Sequence, residues 1–271
     1  MQLSVTSWSF PACGLEEAWG ITRAIGMDHM DIGLLHGPAL DRAAILATPD
    51  TAAEAIEQSG IQVSNVYWLF GDTPFERAVS DPSAHEANMV DLKSVLRFAK
   101  ALSSPTLFIL PGVNHPGQSI QQSLEISANA LRDMTRLADD HGVALTIEPH
   151  VGGLLDSPQR TEELIEKVPG LKLTLDYAHF VCTGYTQSQI NPLAEHAAHI
   201  HLRQARPGTL QAKWGEGTLD FGAMIHTLRS VGYDGFLSLE YVHQSYMNTL
   251  YDDVLTETIQ MRDCARSYLM N

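Results

Sequence analysis

The sequence predicts an α/β fold, a single (β/α)8 TIM barrel, because strand and helix patterns alternate along the whole chain and nothing divides them. Eight short apolar runs rich in β-branched or aromatic residues are candidate strands, and about eight helical segments lie between them. We expect residues 1–271 to form one domain, because no linker, charge run or low-complexity segment interrupts the pattern. A doubly wound open sheet is the alternative, but no glycine-rich phosphate loop follows the first strand.

The candidate strands share a high content of apolar and β-branched residues. They span residues 3–8, 29–35, 61–68, 106–112, 143–149, 171–177, 198–204 and 235–241.

Proline and glycine mark the ends of several predicted helices. Pro49 and Pro158 each stand at a position typical of the first helical turn, whereas Gly60 and Gly142 stand where helices commonly end. The apolar residues of segment 119–142 recur at helical intervals. These signals predict helices within 47–60, 119–142 and 156–170, and a shorter helix within 220–235.

Composition argues against several classes of partner. The formal net charge of −15 repels phosphate backbones and anionic membranes, so we expect neither nucleic acid nor a membrane as partner. No apolar run approaches the roughly 20 residues of a membrane span, and the N-terminus has no signal-peptide pattern. Three widely spaced cysteines are typical of reduced thiols. We therefore expect a cytoplasmic protein.

Four polar residues stand at the ends of consecutive predicted strands. Glu148, Asp176, His201 and Glu240 follow or end strands five, six, seven and eight. A barrel carries its active site at the C-terminal ends of its strands. The pattern therefore predicts that three carboxylates and one imidazole point into the same mouth.

Three carboxylates in one cavity would repel one another, and a divalent cation removes that repulsion. Oxygen-rich ligation with one imidazole favours Mn²⁺, with Mg²⁺ or Co²⁺ as alternatives. A single strand-end carboxylate is more commonly a helix cap or an ion-pair partner, but four residues in register favour a metal site. His199 and His201 point the same way on strand seven, so either could be the ligand. We prefer His201, which lies nearer the end of the strand.

Five segments carry a resemblance to a known family: "TIEPH", "LDYAHF", "HIHLRQ", "WGEGTLDF" and "SLEY". In this order and spacing the chain resembles the sugar isomerase/epimerase superfamily of xylose-isomerase-like barrels, which includes the ketose 3-epimerases. The resemblance covers essentially the whole chain.

The resemblance implies roles for individual residues. It makes Glu148, Asp176, His201 and Glu240 the ligands of one divalent metal, with Glu148 and Glu240 also the general acid/base pair. His179 matches a substrate-contacting histidine, and Arg203 or Arg206 would hold a sugar hydroxyl. Among the aromatic residues near strand ends, Trp214 is a candidate for the wall of the substrate pocket.

One position departs from the epimerase pattern: Leu154 stands where the ketose 3-epimerases carry another glutamate. We therefore expect a metal-dependent isomerase or epimerase of a small sugar or keto-sugar, which abstracts a proton next to a metal-chelated carbonyl and proceeds through an enediolate. A keto-inositol dehydratase (a lyase) and a non-catalytic metal- or sugar-binding barrel are the alternatives. A homodimer or homotetramer is the expected assembly.

An endonuclease-IV-like phosphodiesterase shares this barrel, but it needs additional histidine and aspartate ligands for three zinc ions. The segments after strands three and seven do not supply them, and the net charge of −15 opposes DNA binding.

Overall fold

Eight parallel strands close into a barrel in the order in which they occur along the chain. The structure, a computed structural model, describes residues 1–34, 40–243 and 253–270. The strands are β1 (Gln2–Thr6), β2 (Met30–Gly33), β3 (Val63–Tyr67), β4 (Thr106–Ile109), β5 (Ala144–Ile147), β6 (Lys172–Asp176), β7 (Ala197–Leu202) and β8 (Phe236–Leu239).

Ten α-helices lie in the described residues, mostly in the connections between strands. They are α1 (Leu15–Ala24), α2 (Arg42–Ala47), α3 (Pro49–Gln58), α4 (His85–Ala101), α5 (Ile120–His141), α6 (Pro158–Lys167), α7 (Tyr177–Cys182), α8 (Gln187–Ile190), α9 (Phe221–Ser230) and α10 (Val254–Leu269). Short 3-10 helices span Ser7–Ser9, Pro82–Ala84 and Asn191–His196.

Local sequence sets several helix ends. Helix α5 begins with a capping box, in which the Ser119 hydroxyl accepts a hydrogen bond from the backbone N–H of Gln122 and the Gln122 side chain accepts one from Ser119 N–H. It ends at Gly142, whose φ of 73° is a left-handed conformation that glycine adopts without strain. Pro158 occupies the first turn of α6, and Ser157 caps that helix.

The predicted barrel is confirmed, and each predicted strand overlaps an observed strand. The observed strands are mostly shorter, because the predicted runs also include buried residues of the following loops. The last residue of the predicted second strand, Leu35, lies outside the described residues. The predicted sixth strand extends one residue too far, because Tyr177 already belongs to α7.

An aromatic cluster lies at the C-terminal mouth of the barrel. Trp8, Tyr67 and Phe108 pack together with ring centroids 4.4 to 6.2 Å apart. Gly33 makes room for the cluster, because a Cβ atom there would lie 2.5 Å from the Tyr67 Cβ and 3.2 Å from Trp8. Trp8 and Phe108 of this cluster pack against the His201 ring.

The structure bears on two of the expectations that were drawn from composition. No helix in the described parts of the chain is both long and apolar enough to cross a bilayer. Cys13, Cys182 and Cys264 are free thiols.

Candidate functional site

The four strand-end residues of the sequence pattern lie together at the C-terminal mouth of the barrel. Glu148 follows β5 directly, Asp176 ends β6, His201 lies in β7, and Glu240 follows β8. Each is at most 5% exposed. Asp176 and His201 are directly paired in register on neighbouring strands. A cavity of about 500 Å³ opens above them and is bordered by Glu148 and Glu240.

Three of these residues bring potential ligand atoms to one point. Those of Glu148, His201 and Glu240 lie within 4.8 Å of one another. The Nδ1 atom of His201 is 2.8 Å from Oε1 of Glu148 and 3.4 Å from Oε2 of Glu240. These distances allow a single small cation to contact all three side chains.

The His201 ring has a carboxylate on each side. Its Nε2 lies 3.3 Å from Oδ2 of Asp31, opposite the two glutamates. Burial alone would lower the pKa of His201, but Glu240, Asp31 and Glu148 together raise it well above its ordinary value. Without a metal the ring is therefore an imidazolium that donates hydrogen bonds from both nitrogens. With Nε2–H held by Asp31, Nδ1 is the atom left for a cation.

Asp31 was absent from the sequence-based candidates, although it organises the base of the site. It lies inside β2, and its Oδ1 accepts hydrogen bonds from Ser4 and Ser64 at 3.3 and 2.5 Å. Burial alone would raise the pKa of Asp31, but His199 and His201 hold it far below the usual range. His199 contacts Oδ2 of Asp31 through Nε2 at 2.7 Å and lies one layer below the glutamates.

Asp176 has protein partners on both of its carboxylate oxygens. Oδ1 accepts a hydrogen bond from the backbone N–H of Ala178 at 2.8 Å, so Asp176 is the N-cap of α7. Oδ2 accepts one from Nε of Arg203 at 2.8 Å and lies 2.6 Å from its Nη2. The helix cap and the ion pair, both expected for an isolated strand-end carboxylate, thus coexist in Asp176.

Arg203 is a buried cation among these carboxylates. It is 3% exposed, and its Nη2 also lies 3.3 Å from Oε2 of Glu240 and 2.9 Å from Nε2 of His179. Burial alone would raise the pKa of Glu240, but Arg203 and His201 lower it to about 2. Glu240 is therefore ionised at neutral pH.

His179 borders the cavity beside Arg203. Burial, with smaller contributions from His150, Arg203 and His201, lowers the pKa of His179 well below the ordinary value, so the ring is neutral. Its Nδ1 accepts a hydrogen bond from the backbone N–H of Val151 at 3.2 Å, and it packs against His150 with ring centroids 4.0 Å apart. Glu148, His150 and His179 form a second cluster with ligand atoms within 4.8 Å.

Aromatic residues hold the glutamates and His201 in place. The indole N–H of Trp8 donates a hydrogen bond to Oε1 of Glu240 at 2.9 Å. Phe108 packs edge-on against His201 with centroids 5.4 Å apart. Tyr67 also borders the cavity, and burial together with Glu148 and Glu240 raises the pKa of its hydroxyl, which stays protonated.

Two predicted substrate contacts lie away from this cavity. Arg206 is exposed and forms a short bridge with Thr209. Trp214 stacks on Phe221 with centroids 5.9 Å apart, and its backbone N–H donates to Glu257. Leu154, at the position where the epimerases carry a glutamate, is 1% exposed and packs in the apolar core.

The donor set at the mouth fits a divalent cation. Oε2 of Glu240 is buried and has no hydrogen-bond partner among the described residues, although it lies near His201 and Arg203. Such an atom is costly unless a cation or water satisfies it. Two carboxylates and one imidazole suit Mn²⁺, Mg²⁺ or Co²⁺. Glu148, His201 and Glu240 fit this role directly, whereas Asp176 would first have to exchange its contact with Arg203.

Comparisons with known proteins agree with this architecture. The family model described as "Xylose isomerase-like TIM barrel" matches residues 20–262. A protein named "Putative hydroxypyruvate isomerase" from Homo sapiens is 25% identical over 213 residues, which cover 72% of this chain and 75% of that protein.

Solved structures share the fold at low sequence identity. D-Psicose 3-epimerase from Clostridium cellulolyticum H10 superposes with a TM-score of 0.76 at 15% identity and covers 99% of both chains. The IOLI protein, whose structure contains a bound zinc atom, gives a TM-score of 0.75 at 16% identity and also covers 99% of both chains. These similarities show the fold.

Proposed function

Because the chain belongs to the xylose isomerase-like TIM barrel family, we propose that it is a divalent-metal-dependent isomerase or epimerase of a small sugar or keto-sugar. The relatives named as isomerases and epimerases support an enzyme of this kind. In this proposal Glu148, His201 and Glu240 hold the ion, and Asp176 joins them when Arg203 moves. Mn²⁺ is the proposed ion.

The observation that carries the proposal is the convergence of Glu148, His201 and Glu240 at the floor of the cavity, where Oε2 of Glu240 has ion-pair neighbours but no hydrogen bond among the described residues. A bound divalent ion would supply Lewis acidity next to the substrate carbonyl. The side chains of the site would transfer the protons and orient the substrate.

Glu148 and Glu240 are the proposed proton-transfer pair. Both border the cavity, and they approach it from β5 and β8, which stand three strands apart around the barrel. One carboxylate would accept the proton from the carbon next to the carbonyl, and the other would return a proton to the opposite face. Neutral His179 and the Arg203 guanidinium would orient the substrate oxygens, since both also border the cavity.

A metal titration tests the proposed site before any substrate is known. Chelator-stripped protein is titrated with Mn²⁺, Mg²⁺ and Co²⁺, and the unfolding temperature is measured at each concentration. We expect Mn²⁺ to raise the unfolding temperature, because an ion that binds only the native state stabilises it. The His201→Ala variant should lose this response.

The matched control is His199→Ala, since both histidines lie in β7 and both are fully buried. This variant should unfold at a lower temperature than wild type but should keep its response to Mn²⁺. If His199→Ala loses the response and His201→Ala keeps it, the ligand is His199. If wild type responds to none of the three ions, the metal-dependent function is wrong.

A further inference from the structure

The cavity at the barrel mouth has two chemically different sides. Its floor carries Glu148, Glu240, His179 and Arg203. The side above β3, β4 and β5 lies wholly within residues 40–243, which the structure describes without a gap. This side, which we name the apolar side, is formed by Pro74, Phe75, Leu110, Pro111, Val113 and Val151.

Most of the apolar side is fixed in place. Val113 is buried, and both its backbone groups bond to Ser80: its N–H donates to the Ser80 hydroxyl at 2.9 Å, and its carbonyl accepts from that hydroxyl at 2.7 Å. Leu110 packs against the cluster that contains Trp8 and Phe108. A pre-formed apolar wall gains binding free energy from an apolar ligand without first having to become ordered.

Phe75 is the exception, since 68% of its surface is exposed although it borders the cavity. An aromatic ring left open beside a cavity can bury much of its surface when a ligand covers it. The side chain is therefore placed to close over an apolar part of a bound molecule.

A fully hydroxylated sugar matches this side of the cavity poorly. Above the strand ends, the residues of the β3, β4 and β5 loops that line the cavity offer a single polar side chain, His150. Hydroxyl groups buried against proline, leucine and valine lose hydrogen bonds to water and gain none. A volume of about 500 Å³ is also typical of sites for molecules larger than a free monosaccharide.

We propose that the substrate is an α-hydroxyketone that carries an apolar ring, and that this ring packs on the apolar side while the hydroxyketone meets the carboxylates. This proposal rests on the proposed function, which assigns the hydroxyketone as the reacting group of the substrate. It adds that the rest of the substrate carries an apolar ring, as in a keto-sugar bearing an aromatic substituent.

The phenyl and methyl glycosides of one 3-ketohexose form a matched pair of probes, since they differ only in the apolar group. In deuterated water, Mn²⁺-loaded wild type should replace the C–H hydrogen next to the ketone with deuterium. One C–H bond breaks and one C–D bond forms, so no oxidant or reductant is needed. We expect kcat/KM for this exchange to be at least ten-fold higher with the phenyl glycoside.

Phe75 variants test the wall itself. Phe75→Ser should reduce the phenyl preference below about three-fold, and Phe75→Leu should retain most of it. Val90→Ser is the matched surface control, because Val90 is 67% exposed but lies on α4, away from the cavity. It should leave the preference unchanged. A wild-type preference near one, or a preference that survives Phe75→Ser, would overturn the proposal.

Calorimetric binding separates this proposal from the proposed function. Dissociation constants of both glycosides are measured with the Glu240→Gln variant, so that turnover does not interfere. One outcome is that wild type catalyses no exchange, the phenyl glycoside binds at least ten-fold more tightly than the methyl glycoside, and Phe75→Ser removes this difference. The proposed reaction would then be wrong, whereas binding of an apolar ring on the apolar side would be supported. If both glycosides exchange at the same rate and bind with the same affinity, the proposed reaction is supported and the proposed apolar ring of the substrate is wrong.

Discussion

Two polar layers lie one above the other in this barrel, and His201 belongs to both. The lower, closed layer contains Ser4, Asp31, Ser64 and His199, all with no exposed surface. The upper, open layer consists of Glu148, Asp176, Arg203 and Glu240, and three of these four residues border the cavity. Both layers are built from carboxylates and basic groups, but the ratio of carboxylates to basic groups differs between them.

In the closed layer one carboxylate receives four hydrogen-bonding groups. Asp31 faces two hydroxyls and two imidazoles, so its charge is matched within the layer. In the open layer three carboxylates share the Arg203 guanidinium and the His201 ring, and Oε2 of Glu240 lies near both cations without a hydrogen bond among the described residues. The difference indicates that the closed layer stabilises the fold, whereas the open layer holds negative charge ready for a cation and a substrate.

The largest expected effect comes from Glu240→Gln, which keeps the shape of the side chain and removes its basicity. Proton transfer by a positioned carboxylate contributes roughly 100- to 10,000-fold to rate. We expect exchange of the substrate C–H hydrogen to fall by about that factor while the variant stays folded. Deuterium incorporation and Mn²⁺ binding are measured on the same sample. Near wild-type turnover in a variant that still binds Mn²⁺ would remove Glu240 from the acid/base pair.

In the closed layer, Asp31→Asn should act on stability. The substitution leaves His199 and His201 without their buried counter-charge, and breaking a buried pair from one side costs about 3–5 kcal/mol in the free energy of unfolding. Chemical denaturation measures the loss. Asp28→Asn is the control: Asp28 is close in sequence but its side chain is 71% exposed, so we expect a change of at most about 1 kcal/mol. Similar losses in both variants would contradict a structural role for the closed layer.

In the open layer, Arg203→Met should change metal binding rather than abolish it. Removing the guanidinium takes the ion-pair partner from Asp176 and leaves Glu240 with His201 as its remaining cationic neighbour. The metal-free variant should therefore be less stable than wild type. Its affinity for Mn²⁺ should rise on the order of ten-fold, since a nearby positive charge no longer opposes the ion.

Arg203→Lys retains a charge and should fall between wild type and Arg203→Met. Isothermal titration with Mn²⁺ measures the affinities, and denaturation of the metal-free proteins measures stability. An unchanged or weaker affinity in Arg203→Met would show that the guanidinium and the ion do not share these carboxylates.

The barrel could be predicted because its signals are local. Apolar runs, proline at helix starts and glycine at helix ends each depend on a few neighbouring residues, as at Pro158 and Gly142. Helix α7 escaped prediction because all six of its residues, Tyr177–Cys182, are buried, so it has no polar face. Its start at Asp176 is a cap that also looks like the end of a strand.

The open layer was partly predictable, whereas the closed layer was not. Glu148, Asp176 and Glu240 end their strands, and barrel geometry brings strand ends together. The contact between Asp31 and His199 joins residues 168 positions apart, and no local pattern links them. The sequence carries one further signal: His199 and His201 alternate with a period of two in β7, and Arg203, the residue after the strand, continues that period, which predicts that its side chain points into the barrel as the histidines do.

The smallest effect should come from a carboxylate outside both layers. Glu125 on α5 lies 3.1 Å from Nζ of Lys167 at the solvent-exposed surface, and Lys167 lowers the pKa of Glu125. A lowered pKa stabilises the fold above the ordinary pKa of 4.5, and this stabilisation is lost as the pH falls through the lower folded-state value. Lys167→Met should therefore reduce stability slightly at pH 7, and the difference from wild type should shrink below pH 4.5 and at high salt.

Lys93→Met, at an exposed lysine on α4 with no ion pair among the described residues, controls for the lost charge. A Lys167→Met effect equal to that of Lys93→Met at every pH would mean that the ion pair contributes nothing. A salt-sensitive effect would instead set the exposed pair apart from the buried layers, where screening by salt is weak.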